Sequence, residues 1–334
     1  MEAGPPHYVR GGAVVLFTSG DLSKAGDMRK NAICALGAIL IWATMAPVTK
    51  TVLTSLPSME VLCISALFAV AVLFVMAFVS GRLIHGGAGG SGARSARVAG
   101  LARDAGNARA YAKMAGLGFI GIFAYSALYY EGIDRLSSQE ACIINYLWPA
   151  MLVVFSCLIL KEKMTLPKAG ALICSFAGIV VLSSGGGADG AGRLAGIVCC
   201  LGAAACYGLF SVLNKMFALD AVLTMMTAWL TGAACSWVFM LLTGQSWVPV
   251  TRNEWPALIW LGAGVSALAY LLWALAVNGS ENTAAIANLA YLTPLLSVVI
   301  SAIFLHERLG LRTLIAMVLI VGGILVQSLI ARER

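Results

Sequence analysis

The chain has 334 residues, 60% of them hydrophobic and only 11% charged, with 22 Lys and Arg against 15 Asp and Glu for a formal net charge of +7. A soluble domain carries about 25% charged residues, so water is not the main solvent of this chain. Its apolar residues fall in runs of about 20, enough for a helix to cross ~30 Å of hydrocarbon, whereas the alternating segments of an outer-membrane barrel are absent.

Residues 1–28 contain one short apolar stretch, Ala13 to Thr18, too short to span and without signal-peptide architecture. They read as a loose cytoplasmic tail. Spans are predicted near 31–54, 59–80, 112–131, 139–160 and 166–184, then 194–215, 221–243, 256–277, 283–304 and 311–330. Between the second and third lies a Gly-, Ala- and Arg-rich loop, 81–110, which reads as a flexible cytoplasmic segment that sets topology or meets anionic lipid. The Gly-rich stretch 185–192 links a first half, 29–184, to a second, 193–331.

Polar and aromatic side chains are costly in lipid and tend to face the bundle interior or a water-filled cavity. In span 1 Trp42, Met45 and Thr49 share a face, and Lys50 lies at the end of the span. Tyr125 and Tyr129 share a face in span 3, and Asn145, Trp148 and Pro149 do so in span 4, next to Tyr146. Span 6 presents Tyr207, Ser211 and Asn214 and ends at Lys215; span 8 presents Tyr270 and Trp273; span 9 presents Asn288, Tyr291 and Pro294. Trp42, Tyr146, Trp148, Tyr270 and Tyr291 are read as cavity residues, whereas Tyr130, Trp229, Trp237, Trp247, Trp255 and Trp260 are read as anchors in an interfacial belt.

Pro149 and Pro294 each remove a helix hydrogen bond and are expected to act as hinges. Lys50 and Lys215 either snorkel to the interface or serve as a gate or a carboxylate partner at the ends of the bundle. Glu162 and Glu307, in the turns after spans 4 and 9, are expected to pair with nearby basic residues, which leaves Glu60 and Glu131 as the carboxylates that could exchange a proton. The nine cysteines lie in apolar runs and imply neither a disulfide framework nor a metal site. No cofactor is expected, and the excess of Lys and Arg needs no nucleic acid: a cytoplasmic N-terminus puts 16 of the 22 inside and 6 outside, as the positive-inside rule prefers.

A shift of 145 residues places Tyr146-Leu147 and Pro149 on Tyr291-Leu292 and Pro294, with eight of the 17 positions from 146 to 162 identical. Tyr125/Tyr270, Gly178/Gly323 and Glu162/Glu307 keep the same offset. In the first span of each half the offset becomes 165 and pairs Trp42 with Tyr207 and Lys50 with Lys215. The chain is therefore an internal repeat. Five spans per half, an odd number, invert the second half relative to the first, an arrangement found in secondary transporters with a substrate site between the repeats.

The predicted fold class is an all-α membrane protein, ten transmembrane helices as two inverted five-helix repeats. With the Glu-bearing turns Leu160-Lys161-Glu162-Lys163 and Leu305-His306-Glu307-Arg308, this pattern resembles the drug/metabolite transporter superfamily, EamA type, over about residues 30 to 331. Asn145-Tyr146-Leu147-Trp148-Pro149, Leu40-Ile41-Trp42-Ala43-Thr44 and Asn214-Lys215 are similar to strings in bacterial aromatic amino acid exporters. The resemblance implies export of a small solute through the inner membrane without an ATPase, with aromatic or apolar amino acids favoured. A cation, nucleoside or sugar-phosphate exporter and a membrane scaffold remain the alternatives. An enzyme is not expected, because His7, His85 and His306 all lie in tails or loops and no acid/base set is visible.

Overall fold

The computed structural model describes residues 19–79, 108–184, 190–217, 219, 221–279, 289–290 and 292–330. Among these, seven helices are long and apolar enough to cross a membrane, and Lys168–Leu182, Leu292–Phe304 and Leu311–Gly323 are shorter apolar helices. Together they make up the ten spans, each helical because a backbone in hydrocarbon must satisfy its own hydrogen bonds.

Span 1 consists of α1 (Ser19–Ala43) and α2 (Met45–Leu53), with a break at Thr44. The break is held by Thr44, whose hydroxyl donates to Ile41 O at 2.6 Å and accepts from Trp260 Nε1 at 2.7 Å. Helix α1 begins well inside the segment expected to be a loose tail, because extending an existing helix costs far less than nucleating one. Span 2 is α3 (Ser58–Val79). Span 3 is α4 (Ala108–Gly118), a π-helical stretch Phe119–Ala124, and α5 (Tyr125–Arg135). Span 4 is α6 (Ser138–Asn145) and α7 (Trp148–Ile159), and span 5 is α8 (Leu166–Ser183).

In the second half span 6 is α9 (Gly190–Phe217), which starts inside the stretch read as linker, and span 7 is α10 (Ala221–Thr243). Span 8 is α11 (Trp255–Ile259), a π-helical stretch Trp260–Leu268, and α12 (Ala269–Gly279). Spans 9 and 10 are α13 (Leu292–Phe304) and α14 (Leu311–Ile330). Most of the predicted tail, most of the 81–110 loop and most of the first part of span 9 lie outside the described residues.

Packing follows the repeat. Span 2 lies along span 7 and span 5 along span 10; spans 3 and 4 pack on span 6, just as spans 8 and 9 pack on span 1. Exchanging the two halves maps this pattern onto itself. The result is two bodies, spans 3, 4 and 6 in one and spans 1, 8 and 9 in the other, each built from both repeats. At the α8–α14 crossing the repeat-related Gly178 and Gly323 permit close approach: a Cβ on Gly178 would lie 2.7 Å from Ile320 Cγ1, and one on Gly323 3.0 Å from Cys174 Cβ.

Two equivalent turns end spans 4 and 9. Lys161 and His306, at the same repeat position, take φ of 56° and 53°, the left-handed conformation that commonly ends a helix. Leu160 N–H and Leu305 N–H donate to Ser156 O and Ser301 O, each at 3.0 Å.

Candidate functional site

Rings from five spans of both halves meet in the middle of the bundle. Trp42 lies edge-on to Tyr270 with centroids 5.3 Å apart and against Trp273 at 5.5 Å. Tyr207 meets Tyr125 at 5.2 Å, Trp148 at 5.2 Å and Phe210 at 5.6 Å. Because Trp42 pairs with Tyr207 and Tyr270 with Tyr125 in the repeat, the Trp42–Tyr270 and Tyr207–Tyr125 contacts are one contact made twice. The Tyr207 and Tyr270 hydroxyls, 3.3 Å apart, join the two groups of rings. Trp42, Tyr125, Trp148, Tyr207, Tyr270 and Trp273 are all half-buried. Tyr125 directly follows one π-helical stretch and Tyr270 lies just past the other, a local widening common at functional positions.

Span 4 brings polarity to this cluster. Asn145 is buried and donates Nδ2–H to Tyr125 Oη at 3.0 Å, while its Oδ1 has no partner among the described residues. Tyr146, also buried, donates its hydroxyl to Ala290 O, which accepts Thr293 N–H at 3.0 Å as well. Span 4 is thereby fastened to the start of α13. At the repeat position of Trp148 stands Thr293, buried and with an unpartnered hydroxyl. The two sides of the cluster therefore share one ring contact, Trp42–Tyr270 and Tyr207–Tyr125, and differ at Trp148 and Thr293.

Pro149 lies in the first turn of α7, where its missing N–H would have had no helical partner anyway. Pro294 is buried in the first turn of α13. Asn288 and Tyr291, expected on the cavity face, lie outside the described residues.

The remaining predicted residues lie at the two ends of the bundle. Lys50 Nζ donates to three carbonyls at the C-terminus of α5, Ile133 O at 2.6 Å, Asp134 O at 2.8 Å and Leu136 O at 2.9 Å. Lys215 is exposed and 3.9 Å from Glu162 Oε1. Glu162 pairs locally with Lys168 at 3.1 Å, as expected of it. Glu307 departs from the expectation of local pairing: it accepts Ser138 N–H at 2.7 Å and Gln139 N–H at 3.1 Å. The capping box at Ser137–Glu140 is legible as a motif, but nothing near Glu307 in sequence announces it as the second cap of that helix.

Of the two carboxylates considered for proton exchange, Glu60 is buried and accepts Val248 N–H at 2.9 Å, and Glu131 pairs with Arg135. Hydrogen bonds from Ser55 and from Thr251 N–H hold the Glu254 carboxyl, on the loop before span 8, below the usual carboxylate range. Tyr130 and Trp229, read as interfacial anchors, are buried in the core, while Trp237, Trp247, Trp255 and Trp260 are exposed. A buried ring on a helix that packs on several neighbours gains more by filling the core than by reaching the headgroups.

Residues 29–184 and 194–329 both match the EamA-like transporter family. The aromatic amino acid exporter YddG of Ancylobacter novellus is 27% identical over 219 residues, covering 65% of this chain and 76% of that one. The uncharacterized transporter YvbV of Bacillus subtilis is 32% identical over 200 residues, 58% of this chain and 64% of its own length. A solved crystal structure of a protein superposes on 91% of this chain and 98% of its own with a TM-score of 0.62 at 23% identity. That likeness speaks for the fold alone.

Proposed function

The chain belongs to the EamA-like transporter family, and from that premise we propose that it exports small metabolites, namely amino acids with aromatic or apolar side chains, across the cytoplasmic membrane by alternating access. The two bodies, each built from both repeats, 29–184 and 193–331, are the moving parts, and the 16-to-6 distribution of Lys and Arg supports cytoplasmic termini. Lipid and a small solute are the partners this reading requires. The observation that carries it is the ring of half-buried Trp42, Tyr125, Trp148, Tyr207, Tyr270 and Trp273, contributed by both repeats.

Such a ring stacks on a flat or apolar side chain, and a few placed polar groups fix the orientation of a bound solute. Asn145 Oδ1 offers an acceptor to an ammonium. The two end lysines, the residues that could have met a phosphate, are engaged elsewhere: Lys50 with carbonyls and Lys215 beside Glu162. This favours a zwitterion over a sugar phosphate, and the 27% identical exporter YddG of Ancylobacter novellus supports the same solute class.

Competition for transport in proteoliposomes tests the reading: aromatic and apolar amino acids are expected to compete, and sugar phosphates are not. Trp148→Ala is expected to weaken binding of an aromatic solute by roughly 0.5–1.5 kcal/mol beyond the lost contact area, measured on monodisperse purified protein. If Trp148→Ala and Tyr207→Ala both bind such solutes like the parent, the aromatic site is refuted.

A further inference from the structure

The N-terminus of α6 is capped from two sources. Ser137 Oγ accepts Glu140 N–H at 3.2 Å, and Glu140 reaches back to Ser137 N–H, so one part of the cap comes from the helix's own body. The next two free N–H groups, of Ser138 and Gln139, are taken by the two carboxylate oxygens of Glu307, which follows span 9 in the other body. Gln139 Nε2 donates to Glu307 O at 3.2 Å, and the buried Ser138 and Ser301 hydroxyls lie 2.6 Å apart.

Lys50 makes the complementary crossing. It projects from span 1 in Glu307's body onto the carbonyls that end span 3 in the body of α6. An ammonium on a helix C-terminus and a carboxylate on a helix N-terminus each oppose the helix dipole, and charge-assisted bonds of this kind are roughly twice as strong as neutral ones.

The repeat equivalents of both residues are not used this way. Glu162 follows a left-handed turn residue just as Glu307 does, yet it is exposed and paired with Lys168 at the start of α8. Lys215 is 73% exposed along its side chain and near Glu162, so that both belong to one body. A permanent cap would suit a residue of the helix's own body, as Ser137 is. Glu307 and Lys50 instead reach across the boundary that has to open if access alternates.

We infer that Lys50 and Glu307 form a two-point latch that holds this end of the bundle shut, and that releasing it opens the Lys50 end while the Lys215 end closes. The inference rests on the alternating-access part of the proposed function but on no particular solute, so its failure is distinguishable from failure of the amino acid assignment.

Distances between spin labels on genetically encoded keto amino acids, introduced into the full chain with its nine cysteines intact, test it without added solute. One pair replaces the exposed Asp134 and Leu309 across the Lys50 end, and the other replaces Ile33 and Lys163 across the opposite end. In the parent the 134–309 pair is expected at its short distance. In Glu307→Gln and in Lys50→Met the fraction at a long 134–309 distance should rise about tenfold or more, as loss of hydrogen bonds to a charged group implies, and the 33–163 pair should shorten. Unchanged distributions in monodisperse variants would make the two residues ordinary caps and overturn the latch. Lengthening at both ends would mean loosened packing and overturn it equally. Should Glu307→Gln not fold, Lys50→Met alone decides the question by the same distances.

Discussion

The two ends of the bundle carry the same local chemistry in different states. After span 4 and after span 9 the chain makes the same turn, with Lys161 and His306 at φ of 56° and 53° and a glutamate next. At the Lys215 end Glu162 stays exposed with Lys168. At the Lys50 end Glu307 is seated on α6, Arg193 bonds Glu140 and Leu182 O, Glu60 holds Val248 N–H, and Ser138 meets Ser301. Since the turns are alike, the difference between the ends lies in how the bodies approach one another. A repeat of this kind thus provides a comparison from within, in which Glu307 and Lys50 have idle twins in Glu162 and Lys215.

The largest expected effect concerns contacts that do not join the two bodies. Arg193→Ala removes a half-buried ion pair with Glu140 at 2.5 Å and a bond to Leu182 O at 2.8 Å, and is expected to lower stability by about 2–3 kcal/mol, the scale of hydrogen bonds to charged groups. Lys168→Ala, which removes the more exposed pair with Glu162 at the other end, should cost under about 0.5 kcal/mol. Thermal unfolding of the purified variants checks both, and equal losses would erase the contrast between the ends.

A smaller effect is expected across the body boundary. Ser301→Ala leaves the buried Ser138 hydroxyl without its 2.6 Å partner and should cost about 1–2 kcal/mol. Because that bond joins span 4 to span 9, part of the loss should appear as a longer 134–309 spin-label distance, which Arg193→Ala should leave unaltered. Identical distance distributions in the two variants would show that the body boundary is misplaced.

The smallest effect should be the same at both ends. Replacing Lys161 or His306 by Gly relieves a side chain in the left-handed region, with an expected gain of up to about 1 kcal/mol at each position. Unequal shifts in unfolding midpoint would mean that the turns differ in more than their partners.

Ten spans, their inverted pairing and most of the ring residues are legible in the chain alone, because span length and the i, i+3, i+4 faces are local properties and because the duplication repeats Tyr125 at Tyr270 and Trp42, as Tyr, at Tyr207. Tertiary structure decided the rest. Spans 2 and 7, α3 and α10, are apolar over nearly their whole surface, so no polar stripe states which side faces lipid, and Trp229 and Tyr130 turn inward where an interfacial belt was expected. The pairing of particular rings, such as Trp148 with Tyr207, depends on how helices rotate against each other. A charge at a helix end has several physically sound solutions, and Glu162 and Glu307, alike in sequence and in turn, take different ones. That choice belongs to the packing of one body on the other, which local sequence cannot encode.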